Sequence, residues 1–322
     1  MTLSSTLRKI LFGSGILIAA VAAAGFYYFF LREEPLPPRP DVPFAALEDT
    51  SLKDPDNPSR IFRVDFARVE HEVPLSRADR AKLTPENLKA LSQEEIDQIY
   101  ARLTAGPIPD GIMRGDLFFE RGVDGLHTRL AEILDGGLGG KAADAKVSAL
   151  EKLGKSLWKG KRFYRNEHVL RNVIEDFAPL KPLLDDESKV EKVEIDRTGL
   201  LSWISPRTTA WLLFPAKLYC GQSLLDGRRE SIIIDYAYSH DLPGYMDKPD
   251  ALAGRGGLAI RDEIRMVRPG FYLGRAYANR VFLLNFTVHD PEIMTNGLQA
   301  FLDGKDVEED CWAGEPSAVA AQ

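Results

Sequence analysis

Only two cysteines, Cys220 and Cys311, occur in 322 residues. That excludes a disulfide-dense scaffold and a cysteine-rich zinc site. Cys220 ends an apolar run without an activating partner nearby and reads as a satisfied buried thiol. Basic excess is lacking too. Lys and Arg number 41 against 48 Asp and Glu, leaving a net charge of −7, so no general field draws nucleic acid or anionic lipid to the chain. No HExxH, CxxC, GxSxG or GK[ST] pattern is present, and the histidines at 71, 127, 168, 240 and 289 are scattered. The glycine cluster at 136–140 lacks the strand-before, helix-after context of a phosphate cradle and reads as a flexible break. No metal, cofactor or nucleic acid is therefore expected. Global disorder is excluded by a hydrophobic content of 44%.

One long charge-free run is present, at 10–31. As a helix it is long enough to cross a hydrocarbon core of about 30 Å, and Tyr27 and Tyr28 suit the headgroup level at its end. Small-residue sites such as Ala20-Val21-Ala22 would suit a cleaved signal, but Phe26 to Leu31 continues apolar beyond them, which favours a retained anchor. Arg8 and Lys9 precede the span and favour a cytoplasmic N-terminus at 1–9. In a bacterium the bulk of the chain is then periplasmic, anchored in the inner membrane.

Prolines 35, 37, 38, 40 and 43 make residues 32–43 a semi-rigid linker. Residues 44–107 read as a helical neck. A short strand is expected near 61–66, a proline-started helix at Thr84-Pro85-Glu86, and a capping box at Ser92-Gln93-Glu94-Glu95 with Ile96, Ile99, Tyr100 and Leu103 at helical spacing. Residues 108–290 form the main domain, with helices inserted at 123–157. Strands are expected at 112–120, 159–164, 169–174, 190–195, 209–220, 230–239, 258–267, 270–277 and 280–289, from Val, Ile, aromatic residues and turn signals. Short connections imply an antiparallel meander that closes on itself to avoid open edges. The long loop 240–257 suits a lid, and Arg255 within it could reach a ligand's acidic group or stay solvated. A short helix near 294–302 and a poorly ordered acidic tail complete 291–322. The fold class is α+β: a transmembrane helix, a helical neck and a calycin- or lipocalin-like antiparallel β-barrel.

Strand faces carry the functional question. Arg261, Glu263 and Arg265 alternate onto one face, whereas Ile260, Asp262, Ile264 and Met266 share the other. Facing solvent, the charged set is an ordinary ion-pair row. Facing a lumen, it has a surplus positive charge suited to a carboxylate or phosphate. Asp235 falls on the face opposite Tyr236 and is a candidate cross-sheet partner for Arg261 or Arg265. Aromatic stripes through Trp211, Tyr219 and Phe286 suit plain core or a pocket wall. The candidate ligand-binding set is Trp158, Lys161, Trp211, Tyr219, Tyr236, Arg261, Glu263, Arg265, Tyr272 and Arg275.

Several motifs between about 108 and 286 resemble an uncharacterised bacterial family. They are Ile108-Pro109-Asp110-Gly111, Trp158-Lys159-Gly160-Lys161-Arg162-Phe163, Leu170-Arg171-Asn172, Ala216-Lys217-Leu218-Tyr219-Cys220-Gly221-Gln222-Ser223, Leu225-Asp226-Gly227, Asp235-Tyr236, Ile260-Arg261-Asp262-Glu263-Ile264-Arg265 and Pro269-Gly270-Phe271-Tyr272-Leu273-Gly274. The Trp158 motif is also similar to lipocalin-like GXWXG-type domains. The resemblance implies a lipocalin-like β-rich domain and no reaction.

The expected function is a membrane-anchored periplasmic protein that binds or carries a lipid or small amphiphile, with Arg261 or Arg265 meeting an acidic headgroup. The alternatives are a cofactor-free enzyme using Asp235, Asp262 or Glu263 near Tyr236 as acid or base, and a non-catalytic scaffold of an envelope complex.

Overall fold

A computed structural model describes residues 36–46, 64–118, 154, 157–175, 184, 186–197 and 203–314. The expected span at 10–31 and most of the insertion 123–157 lie outside the described residues. Among the described residues no helix is long and apolar enough to cross a membrane.

Among the described residues, nine antiparallel strands follow the neck: β1 (Gly111–Phe118), β2 (Trp158–Tyr164), β3 (Val169–Ile174), β4 (Lys192–Asp196), β5 (Arg207–Gln222), β6 (Glu230–Asp235), β7 (Ile260–Arg268), β8 (Phe271–Ala278) and β9 (Val281–His289). Eight of them close a barrel. β1 pairs with both β2 and β9, β3 pairs with β5, and β4 is an extra strand on the edge of β5. This is an antiparallel, calycin-like barrel. The expected strands are present with ends shifted by a few residues, except that 236–239 leaves β6 as a 3₁₀ segment (Tyr236–Asp241). Asp235 ends the strand there by accepting a hydrogen bond from the backbone N–H of Ala237.

Alternation sorts the side chains into two layers. Inward-facing Met113, Leu117, Phe163, Leu170, Leu218, Ile232, Ile234, Ile264, Met266, Phe286 and Val288 form the barrel core. Gly115 and Gly274 make room in it: a Cβ at Gly115 would lie 2.3 Å from the Trp158 ring, and one at Gly274 would lie 2.3 Å from the Phe286 ring. The outward faces of β7 and β8 are not wet. Val267, Phe271 and Leu273 pack against Leu83, Leu88, Ile96, Ile99, Tyr100 and Leu103 of the neck.

The neck consists of short helices, α1 (Phe66–Glu72), α2 (Arg77–Lys82), a 3₁₀ turn at Asn87–Ala90 and α3 (Gln93–Ala101). Phe66, placed in a strand by its sequence context, opens α1, because Asp65 caps the first turn through the N–H groups of Ala67 and Arg68. Ser76 and Ser92 close reciprocal capping boxes with Asp79 and Glu95. At Thr84 the expected helix is only the 3₁₀ turn.

Both barrel ends are covered. At the end where β7 begins, segment 236–259 folds across, including the short α4 (Asp247–Asp250). Buried Asp250 fixes this segment by accepting from the N–H of Phe214 (2.8 Å) and of Met246 (2.9 Å). The opposite end is sealed by the C-terminal stretch after α5 (Pro291–Asn296) and α6 (Leu298–Leu302). This stretch is not the loose acidic tail expected. Asp310 accepts from the Ile108 N–H (2.6 Å) and pairs with Arg165 (2.9 Å), and Glu309 accepts from the Gly106 N–H (2.7 Å). Cys311 is disulfide-bonded to Cys220, so Cys220 is not the buried thiol its sequence context suggested. The two cysteines lie 91 residues apart, and only the closed barrel brings β5 beside the strap.

Candidate functional site

The charged row on β7 faces away from the lumen, with Arg261 partly exposed at its start. Glu263 and Arg265 lie on the outer wall, fully buried beneath the neck. Arg265 donates to Ser231 Oγ, to Asp226 Oδ2 and to the carbonyls of Tyr100, Asp226 and Arg229. Glu263 accepts from Ser223 Oγ (2.8 Å), the Leu224 N–H (3.1 Å), Tyr277 OH (3.1 Å) and Arg261 (3.3 Å). Arg275 pairs with Asp97 of α3 and donates to Tyr277 OH. These groups satisfy one another as buried charges must, so the acidic-headgroup role expected of Arg261 and Arg265 finds both already paired. Asp235 bonds to neither arginine; its carboxylate accepts from Tyr219 OH at 2.7 Å. That bond and burial push the Tyr219 hydroxyl up to about 12, burial being the larger cause. Trp211 packs with Ile174, Val190 and Leu213 near the covered end, and Tyr272 donates to the Pro107 carbonyl at the strap end.

The remaining candidates meet inside the barrel. Lys161 on β2 shares the inward face with Phe163, and Asp262 on β7 sits between Ile260 and Ile264. Tyr236 projects inward just past β6. The Lys161 ammonium donates to Tyr236 OH (2.7 Å), Asp262 Oδ2 (3.0 Å) and Asn172 Oδ1 (3.0 Å). Asn172 on β3 was not among the candidate residues. It accepts a further bond from Trp158 Nε1 (2.9 Å) and donates to Tyr236 OH (2.9 Å) and the Phe214 carbonyl (3.3 Å). Its signal was available: Leu170-Arg171-Asn172 puts a polar side chain on the inward parity of Leu170. The ammonium also lies over three aromatic rings, those of Phe286 (5.2 Å), Tyr236 (5.4 Å) and Trp158 (5.6 Å).

Burial raises the Asp262 carboxyl above the ordinary carboxylate range, with Lys161 and the Tyr236 hydroxyl pulling the other way. The same burial acts to deprotonate Lys161, but Tyr236 and Asp262 outweigh it and hold the ammonium above its usual pKa. The Tyr236 hydroxyl, pushed up to about 12 chiefly by burial, keeps its proton. One atom stands apart: Asp262 Oδ1 is buried and, among the described residues, has no hydrogen-bond partner.

These polar side chains stand inside the barrel among the apolar residues of its core. A recess of about 610 Å³ lies outside the wall, between β1 and the β4–β5 hairpin, where Arg114 and Asp196 pair across it at 2.6 Å. Cys220, Cys311 and Glu230 lie close enough together to suggest metal ligands, but the disulfide consumes both sulfurs.

No family model matches this chain, and no curated protein matches it. A solved structure, "Crystal structure of protein from Thermomonospora curvata", aligns with 62% of this chain and 87% of that one, at 17% identity and a TM-score of 0.27. A likeness at that level carries no argument.

Proposed function

We propose that the protein is a membrane-tethered, extracytoplasmic module that holds a small amphiphile inside its barrel. The polar group would sit at the Lys161–Asp262–Tyr236–Asn172 centre and the apolar part against Trp158, Phe286 and Leu284. The observation that carries this reading is the polar centre itself. A charged, hydrogen-bonded set in the middle of an apolar barrel costs desolvation that a purely architectural core avoids. Trp158, half-buried at the covered end and stacked on Gly115, is the side chain whose displacement would admit a ligand.

Two further observations support the setting. The 10–31 run has the length and character of a span. The cysteines are joined, as structural cysteines are in oxidising compartments and rarely are in a reducing cytosol. Alkylation of the thiols in intact cells tests the compartment: the expected result is no free thiol before reduction, and two alkylated cysteines would remove the extracytoplasmic placement.

Native mass spectrometry of the full chain extracted in detergent tests the binding claim. A bound mass that dissociates on unfolding is expected. Bare chain in every preparation would instead favour a non-catalytic scaffold.

A further inference from the structure

We infer that the group received at the barrel centre is a neutral hydroxyl, donated by the head of an amphiphile to Asp262 Oδ1. The inference rests on the interior-binding reading above and names its ligand class. It follows from which hydrogen-bonding capacities remain open.

Lys161 has three protons, and each has an acceptor: Tyr236 OH, Asp262 Oδ2 and Asn172 Oδ1. Both Asn172 amide protons are directed, one to Tyr236 OH and one to the Phe214 carbonyl. The Trp158 indole N–H goes to Asn172 Oδ1. The Tyr236 hydroxyl already accepts two bonds and donates its own proton to Asp262 Oδ2, the two oxygens 3.4 Å apart. In this arrangement, among the described residues of the centre, the donors of Lys161, Asn172 and Tyr236 are all engaged, so none of the three is open to a carboxylate or phosphate. The opening is an acceptor, Asp262 Oδ1, on a residue 5% exposed. An anionic head would bring its lone pairs against that oxygen.

Charge narrows the class further. Lys161 and Asp262 neutralise each other at 3.0 Å, so the centre has no net charge to offer. An ammonium head would meet Asp262 but would also sit beside the Lys161 ammonium, in surroundings where like charges are scarcely screened. A hydroxyl supplies the missing proton without adding charge. An ester or ether head, having acceptors alone, leaves Oδ1 as it is. The ligand is therefore a neutral, hydroxyl-bearing amphiphile, admitted when the Trp158 indole moves off Gly115.

Four probes with the same twelve-carbon chain separate the possibilities: 1-dodecanol, dodecylamine, dodecanoic acid and methyl dodecanoate. Each is added at equal concentration to the detergent-extracted full chain, and retention is read by native mass spectrometry, with tryptophan fluorescence reporting movement at Trp158. The alcohol is expected to be retained at least about tenfold better than the acid or the ester, the scale of one buried bond to a charged acceptor. Asp262→Asn turns the amide nitrogen toward the Oδ1 position and is expected to shift preference to the ester carbonyl. Because that variant leaves Lys161 without its counter-charge, its thermal unfolding is measured alongside, and the wild-type series decides the question by itself. Equal retention of all four probes would assign Oδ1 to a buried water, and best retention of the acid or the amine would give the centre the opposite character. Either result overturns the hydroxyl assignment while leaving interior binding intact. If no probe is retained, interior binding falls and the ligand class falls with it.

Discussion

Lys161 shows how one residue can be decisive for a barrel interior. Its ammonium is the sole cation facing Asp262 from inside the barrel among the described residues, and it also ties β2 to β3 and to Tyr236. Lys161→Met keeps much of the volume but strands a buried carboxylate, which costs about 3–5 kcal/mol at neutral pH. The pH dependence has a definite sign. Asp262 titrates in the folded chain above its ordinary 3.8, so its contribution to stability is fully present below 3.8 and is lost as pH rises through the folded value. Without the ammonium that folded value rises further. Urea unfolding of Lys161→Met at pH 7 and pH 4 should therefore show the larger deficit at pH 7, and equal deficits would mean that Asp262 is not the group left unpaired. Asp262 was visible in the sequence as a lone polar side chain on an apolar strand face, and Lys161 as a candidate that shares its parity with Lys159 and Phe163. Their meeting was not, because it depends on barrel closure bringing β2 opposite β7.

At the scale of elements, the barrel and the neck are joined through charge as much as through apolar packing. Arg265 reaches from β7 to the Tyr100 carbonyl of α3 and to the 226–229 turn, and Arg275 reaches from β8 to Asp97. Asp226, although buried, is held below the ordinary carboxylate range by the Arg228 hydrogen bond and the field of Arg265. Replacing Arg265 with Met should cost about 3–5 kcal/mol by leaving Asp226 and three carbonyls short of donors. Hydrogen exchange should rise first in α3, whereas uniform loosening of all nine strands would argue against a local clasp. Strand positions were legible here from β-branched and aromatic runs, and α3 from its capping box. The placement of the charged row was not. Alternation puts Arg261, Glu263 and Arg265 on one face but says nothing about what covers that face. The covering helices come from a segment more than a hundred residues earlier, and a layer between solvent and lumen has no signature in local periodicity. Asp235 differs from its expected role for a related reason: its carboxylate caps the 3₁₀ segment and accepts the Tyr219 hydroxyl hydrogen bond, partners supplied by its own strand end and the neighbouring strand.

For the whole molecule the strap at 303–314 matters most. It packs Val307 and Cys311 against the barrel core and is tied by Arg165–Asp310 and by the disulfide. A crosslink enclosing 91 residues removes on the order of 4–5 kcal/mol of unfolded-chain entropy in the loop-closure account. Cys311→Ser should lower the midpoint of thermal unfolding well below that of the oxidised protein, and a dithiol reductant should bring the wild type down to the same value. A reductant that lowers the variant equally would show that the bond is not the cause. The acidity of the strap made it look solvated in sequence. Its carboxylates instead serve backbone N–H groups at Gly106 and Ile108, partners that only the folded chain supplies.

That crosslink also sets an order of events in biosynthesis. Cys220 is made within the fifth strand, and Cys311 follows all nine, so the earlier sulfur must wait while four more strands are synthesised. No third cysteine exists in the sequence to capture it in the meantime. With these two cysteines as the pair, the competing error is linkage between two nascent copies, a hazard that grows with crowding and leaves the base of the barrel unlatched.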